Sequence, residues 1–212
     1  MKLQIDDKFY KLEIVKKRTN RNTYIMVKED LTILVTTNIF TSDKKINQII
    51  NENIDSIKKM IERASKKKEY EEKFYYLGRE YDLVYTNSDS VSFGEKTAFV
   101  GKNVDFDKWL KTQAQDLFLQ RLDLIYSKFS RRIPYPTMTI RKMKSRWGVC
   151  NVKTHRVTLN LNLMKKDISC LDYVIVHELS HLVYADHSKR FWGLVEENYP
   201  EYKKVRKMMK EY

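Results

Sequence analysis

The stretch Leu171–His187, LDYVIVHELSHLVYADH, contains three of the four histidines of this chain. His177 and His181 stand four residues apart, and on a helix residues i and i+4 lie on the same face, about one turn from each other. Two imidazoles placed in this way can share one metal ion. The apolar run LDYVIV before them is typical of a buried helix, and the pattern predicts a helix from Leu171 to Tyr184.

Glu178 follows the first histidine, so on a helix its carboxylate points beside the shared ion and reaches a water molecule on that ion. Two ligands and one general base in this order are the HExxH pattern of metallohydrolases. Zinc accepts imidazole nitrogen and lowers the pKa of a bound water to about 7. The motif predicts one Zn²⁺ per chain, which another divalent transition metal can replace, with Glu178 as the base.

A catalytic zinc takes three protein ligands and leaves one position open. His187 comes shortly after the predicted helix, and a chain that turns there would bring it back to the metal. We expect His187 to be the third ligand, because it completes a set of three nitrogen ligands. Glu201 is the competing candidate, and Glu196 and Glu197 are weaker versions of the same idea.

The bulk composition indicates a globular protein of ordinary kind. Of its 212 residues 42% are hydrophobic, which argues against disorder, and no apolar run approaches the ~20 residues that a membrane span needs. The N-terminus lacks the apolar core of a signal peptide, so we expect a cytoplasmic protein without a membrane partner. Two cysteines, Cys150 and Cys170, are read as thiols in that compartment.

Hydrophobic periodicity predicts an α+β protein with two regions. Residues 1–103 alternate in the manner of strands and carry one long helix, predicted over Asp43–Glu72 from isoleucines at helical spacing. Residues 104–212 form the second domain, which begins with another long helix and contains the histidine motif. Between the helix and the motif the sequence predicts three strands, which are Thr137–Arg141, Arg146–Cys150 and Arg156–Leu161.

Five short motifs give the second region its resemblance to a known family. They are MKSRWGVC, VTLNLNL, LDYVIVHELSHL, HSKRFW and YPEYKKVRKMM. Their order resembles the YgjP-like family of zinc metallopeptidases, zincins related to the WLM and SprT-like proteins. The resemblance is dense over residues 135–212 and looser upstream. Val149 and Asp186 depart from the family pattern, and neither is a predicted ligand.

The resemblance implies a zincin-like catalytic domain at the C-terminus, with zinc on His177, His181 and His187 and Glu178 as the base. It also directs attention to six further residues, which are Arg146, Trp147, Asn160, Ser188, Phe191 and Trp192.

Two of these polar residues have alternative interpretations. Arg146 either binds a carboxylate, a phosphate or an oxyanion of the substrate, or pairs with a core carboxylate such as Asp172. Asn160 either lines a cleft beside the metal or caps the end of a strand. We expect Arg156–Leu161 to be the edge strand to which an extended peptide adds.

Three functions remain open from the sequence. The leading hypothesis is a zinc-dependent metallopeptidase acting on peptides or proteins, with Arg146, Asn160 and Arg141 in contact with the substrate. The second is hydrolysis of a phosphoanhydride bond in a nucleoside triphosphate, because basic residues including Arg141 and Arg146 cluster just before the metal helix. The third, suggested by a net charge of +13, is a nucleic-acid-recruited protease or a binding module with structural zinc. The sequence indicates no oligomeric state.

Overall fold

The structure is a computed structural model that describes residues 1–209, apart from the side chains of Lys67 and of residues 70–72. The chain forms two compact units, one over Met1–Glu72 and one that begins at Lys73. The boundary predicted between residues 103 and 104 falls inside the second unit, and residues 210–212 of the predicted domain lie outside the described residues. The predicted α+β class is confirmed, because both units mix helices and strands.

The first unit is a four-stranded sheet with two helices. Its elements are β1 (Lys2–Ile5), β2 (Lys8–Lys17), β3 (Tyr24–Val27), β4 (Ile33–Asn38), α1 (Asp43–Glu52) and α2 (Ile54–Glu72). The strand order is β1-β2-β4-β3, with β2 and β4 parallel and the other pairs antiparallel. Alternate residues of β4, Ile33 and Val35, are buried with Ile46 and Ile50 of α1. The apolar face of the strand and the apolar face of the helix therefore form one core.

The helix predicted over Asp43–Glu72 is interrupted at Asn53, which ends α1. The side-chain amide of Asn53 donates to the carbonyl of Ile49, a local hydrogen bond that competes with helix continuation. Ser42 caps the start of α1, where its side chain accepts from the backbone N–H of Lys45.

The second unit begins with a sheet that the predicted boundary assigned to the first region. Its strands are β5 (Phe74–Tyr76), β6 (Arg79–Thr86), β7 (Val91–Phe93) and β8 (Thr97–Gly101), in the order β5-β6-β8-β7, and α3 (Phe106–Lys128) follows. Aromatic rings join this sheet to α3. The ring of Tyr76 lies 4.7 Å from Phe93 and 5.8 Å from Trp109, which explains why these strands belong to the unit that contains α3.

The remainder of the second unit contains the histidine motif. Its elements are β9 (Thr137–Arg141), β10 (Gly148–Asn151), β11 (Arg156–Asn160), a 3₁₀ helix (Leu161–Lys165), α4 (Ile168–Ser180), α5 (Lys189–Asn198) and α6 (Tyr202–Met208). The strand order is β10-β11-β9, with β11 antiparallel to β10 and parallel to β9. The prediction that Arg156–Leu161 is the edge strand is therefore wrong. Strand β11 is paired on both sides, whereas β10 is an edge strand and packs against α4.

Helix α4 passes through the middle of this core, with most of its side chains buried. Its one buried aspartate, Asp172, receives hydrogen bonds from Arg121 of α3, Nε to Oδ1 at 2.7 Å and Nη2 to Oδ2 at 2.5 Å. Because Arg121 already satisfies this carboxylate, the predicted alternative pair of Asp172 with Arg146 is wrong. Among the described helices, none has both the length and the apolar composition needed to cross a bilayer.

Candidate active site

The structure brings the three predicted histidines of the motif together. His177 lies in the last turn of α4, and His181 caps the helix in the right-handed α conformation, so both point from one face. His187 returns from the following turn and places its Nε2 at 3.2 Å from Nε2 of His177. One ligand atom from each residue lies within 4.8 Å of the other two, and we call this group the histidine cluster.

A tight turn returns His187 to the helix. Helix α4 ends at Ser180 rather than at the predicted Tyr184, and the backbone N–H of Tyr184 donates to the carbonyl of Ser180 at 2.9 Å. His181 Nδ1 lies 3.2 Å from the carbonyl oxygen of Tyr184, a donor geometry that leaves Nε2 for the cluster. No residue of this described turn has a positive φ, so the turn needs no glycine and accommodates Tyr184.

Phe191 packs against all three imidazoles. It is fully buried at the start of α5, and its ring centroid lies 4.9 Å from His177, 4.6 Å from His181 and 4.8 Å from His187. Trp192 lies 5.7 Å from both His177 and His187 and is stacked on the latter. The resemblance to the family pointed to these two residues without assigning them a role.

The cluster fits a zinc ion. Two nitrogen ligands at 2.0–2.1 Å from a tetrahedral zinc are about 3.3 Å apart, close to the distance between His177 and His187. Burial lowers the pKa of His177 to about 3 and moves the pKa of His181 below its usual value, so both rings are neutral near pH 7. Three imidazole ligands favour zinc and its transition-metal neighbours.

Glu178 lies beside the cluster and is only 4% exposed. Burial raises the pKa of its carboxyl to about 8, against the opposing effects of a hydrogen bond from the backbone N–H of Cys150 and of the charge of Arg146. Gly148 of β10 makes room for this carboxylate, because a Cβ at that position would stand 2.5 Å from Glu178 Oε1. Gly148 was not among the predicted site residues, although it stands in the RWG part of a quoted motif.

The residues predicted to contact the substrate differ in whether their side chains are free to do so. Arg141 at the end of β9 and Arg146 before β10 are exposed. Asn160 is 3% exposed, and its side chain is fully engaged. Its amide donates to the carbonyls of Met143 and Arg146 at 2.8 and 2.7 Å, and its oxygen accepts from the backbone N–H groups of Met143 and Asn162. Of the two interpretations of Asn160, the cap is the one observed, here for the 3₁₀ helix.

The competing acidic ligands lie outside the cluster. Glu196 pairs with Lys203 at 2.8 Å, and Glu197 receives two hydrogen bonds of 3.0 Å from Arg131. Glu201 is exposed at the start of α6, and within the described residues the group that could hold a metal near this helix contains histidines alone.

The family model described as "YgjP-like, metallopeptidase domain" matches residues 21–212. This chain belongs to the YgjP-like family. The resemblance read from five motifs is confirmed, and the YgjP-like match extends well upstream of the dense region at residues 135–212. Membership supports a metallopeptidase, and so a peptide or protein substrate, for this YgjP-like chain.

Comparison with curated proteins gives no match. Among solved structures, this YgjP-like chain is similar to one described as the crystal structure of the metallopeptidase zymogen of Pyrococcus abyssi abylysin. The identity is 26%, the alignment covers 44% of this chain and 93% of that one, and the TM-score is 0.39. At that TM-score the similarity supports no conclusion about fold or function.

Proposed function

We propose that this protein is a zinc-dependent metallopeptidase in which His177, His181 and His187 hold the metal and Glu178 is the general base. The observation that carries the proposal is the meeting of three imidazole nitrogens beside a buried carboxylate, on one turn of helix and the turn that follows. Membership in a family described by its metallopeptidase domain supports the choice of a peptide bond as the target.

The chain's own residues have separate roles in this mechanism. A bound zinc ion would lower the pKa of a water molecule and polarise the scissile carbonyl. Glu178, whose ionised form the charge of a bound metal ion would favour against the effect of burial, takes the proton of the attacking water and delivers it to the leaving amine. The backbone N–H of Cys150 orients the Glu178 carboxylate, and Gly148 leaves the space that it fills.

The substrate would lie along β10. This strand pairs with β11 on one side only, and its residue Cys150 reaches Glu178, so an extended peptide added to its other edge would pass close to the base. We propose that Arg146, with Arg141 at the end of β9 where this loop begins, contacts this peptide. Asn160 acts as a positioning residue, because its hydrogen bonds fix the loop that ends at Arg146.

The test compares zinc-loaded wild type with Glu178→Gln on unfolded protein and on a peptide library, with products identified by mass spectrometry. We expect Glu178→Gln to retain zinc by elemental analysis and to lose about 10²- to 10⁴-fold in rate, the usual contribution of a general base. Glu196→Gln is the matched control, since this exposed glutamate pairs with Lys203 and should keep full activity. An inactive wild type with zinc fully bound, or an active Glu178→Gln, would refute the proposal.

One observation favours a second candidate, hydrolysis of nucleoside triphosphates. Residues 141–166 include lysines and arginines but no aspartate or glutamate. Six of these cations are exposed, and none has an ion-pair partner among the described residues. They are Arg141, Lys142, Lys144, Arg146, Lys153 and Arg156.

Phosphate release from a panel of nucleoside triphosphates, measured on the same two proteins, separates the candidates. If only nucleotides are hydrolysed, and the reaction again depends on Glu178, then the bond that this enzyme cleaves is a phosphoanhydride bond and not a peptide bond. The nucleic-acid alternative rests on net charge, and the described residues add no comparable observation in its favour.

A further inference from the structure

We propose that Arg206 of α6, together with Arg146, forms an anion-binding site that holds an oxyanion of the substrate, a carboxylate or a phosphate, beside the histidine cluster. This inference rests on the proposed function, because it names a chemical property of the substrate at that site. Arg206 lies in a quoted motif but was not among the predicted functional residues.

Stacked rings place Arg206 near the cluster. Its guanidinium carbon lies 4.5 Å from the ring centroid of Trp192, and that ring lies 5.7 Å from both His177 and His187. Tyr202, one turn before Arg206 on α6, stacks on Trp192 at 5.5 Å and 15°. The charge of Arg206 is therefore held one ring away from two of the proposed ligands.

The guanidinium of Arg206 is exposed, and among the described residues no carboxylate pairs with it. Of the four acids in residues 186–209, three have other partners, and the fourth, Glu201, is exposed at the start of α6 and forms no ion pair with Arg206. Glu196 pairs with Lys203, Glu197 pairs with Arg131, and Asp186 accepts from the backbone N–H of Ser188 at 3.3 Å. Guanidinium donors match the oxygens of a carboxylate or a phosphate, so an anionic ligand can take the place that no acid of the described chain fills.

Arg146 supplies a second cation from the β side of the site. The carbonyl of Arg146 accepts from Asn160, which fixes the backbone from which this exposed side chain extends. Gly148, two residues after Arg146, stands against the proposed base, since a Cβ at that position would lie 2.5 Å from Glu178 Oε1. The two arginines thus border the site from different elements, one from the loop before β10 and one from α6.

The alternative is that Arg206 only packs on Trp192. In that case its removal would change stability without changing affinity for anions. The two roles are separated by binding measurements, which do not depend on turnover.

Binding is measured by titration calorimetry on the zinc-loaded Glu178→Gln protein, with three probes. The first is a short peptide with aspartates around its centre, the second is the same peptide with asparagines, and the third is inorganic pyrophosphate. Arg206→Gln and Arg146→Gln are compared with Lys207→Gln, the matched control, which removes an equal charge from an exposed position of α6. Arg206→Lys keeps the charge but not the planar fork, and thermal unfolding of each variant reports its folding.

We expect Arg206→Gln and Arg146→Gln each to weaken binding of an anionic probe by about tenfold or more, as the loss of a charge-assisted hydrogen bond predicts. Arg206→Lys should fall between wild type and Arg206→Gln, and Lys207→Gln should stay within twofold of wild type. Preference for the aspartate peptide identifies a carboxylate as the ligand, and preference for pyrophosphate identifies a phosphate.

The proposal is overturned if Arg206→Gln binds every anionic probe as Lys207→Gln does, or if aspartate and asparagine peptides bind equally and pyrophosphate does not bind. Failure of the proposed function is a separate result, seen as absence of zinc or of peptide cleavage by the protein with Glu178 intact. The affinities of the arginine variants still decide the role of Arg206 in that case.

Discussion

The α4 side of the candidate site and the turn after it present their ligands in different ways. On α4, Glu178 and the imidazole of His177 lie among buried side chains, and the carboxylate is further fixed by the backbone of β10. On the turn, His187 is exposed and has Phe191 and Trp192 as ring neighbours. Burial and the neighbouring β10 backbone fix the first group, whereas His187, which is exposed, depends on the aromatic residues that open α5.

This difference predicts two kinds of mutational effect. Changes on the α4 side should alter the position of the base or the stability of the core. Changes on the turn side should weaken metal binding, with a loss of stability that follows the burial of the residue replaced.

The largest effect is expected from Gly148→Ala. The new Cβ would stand 2.5 Å from Glu178 Oε1 and 2.7 Å from its Cγ, so the carboxylate must move. The rate should fall by about 10²- to 10⁴-fold, as for loss of the base itself, while zinc content is unchanged. Hydrolysis per zinc-loaded molecule is the measurement.

Gly193→Ala is the control for this substitution. A Cβ at Gly193 would meet no atom within 4 Å, and alanine is favoured over glycine inside a helix by about 0.5–1 kcal/mol. Full activity of Gly148→Ala would show that Glu178 does not need its observed position.

Phe191→Ala should cost about 3–5 kcal/mol of unfolding free energy, the usual loss for a buried phenylalanine, and should also weaken zinc binding because three imidazoles lose their support. Urea unfolding and zinc titration measure the two effects. Phe118→Ala, equally buried in the same core, should lose similar stability but keep its zinc affinity. Equal zinc affinities in the two variants would contradict the role given to Phe191.

Trp192→Leu should lower zinc affinity by about 10- to 100-fold, the usual result of removing a group that orients a ligand. The reason is that Trp192 stacks on His187, which is exposed and therefore depends on its aromatic neighbours for its orientation. Competition with a chromogenic chelator measures the affinity. Trp109→Leu is the control, because it changes the aromatic cluster with Tyr76 and Phe93 and should leave zinc affinity unchanged. An equal loss of zinc affinity in Trp109→Leu would mean that Trp192→Leu acts through general stability.

Ser188→Ala should have the smallest effect, about 1 kcal/mol of stability, because Ser188 caps α5 through the backbone N–H of Phe191. A small loss of zinc affinity should accompany it, since this cap directly follows His187. Ser42→Ala removes the matching cap of α1 in the first unit and should cost similar stability with no change in zinc affinity. Calorimetric unfolding with and without zinc distinguishes the two, and an identical zinc response would remove the link between the α5 cap and the site.

Much of the α4 side could be predicted from the sequence, because a period of 3.6 residues places His177 and His181 on one face. The return of His187 followed from the chemistry of zinc, which requires a third ligand, rather than from any pattern in the turn. The cap at Ser42 was also within reach, since serine before an apolar helical pattern is a start signal.

The rest depends on contacts between residues far apart in the chain. The edge strand of a sheet is decided by pairing between strands that local sequence does not show. For this reason Arg156–Leu161 was wrongly predicted to be the edge strand. Arg121 meets Asp172 across 51 positions, which no local pattern reports. The side chain of Asn160 suited either a cleft or a cap, and only the positions of Met143 and Arg146 decided between them.

Strand β10 has a consequence for the solubility of this protein. An edge strand offers unpaired backbone groups on which a second chain can build, and proteins limit this hazard with short edges and covered donors. β10 has only four residues, so the edge that is proposed to accept a peptide is also short enough to limit pairing with a second copy of the chain.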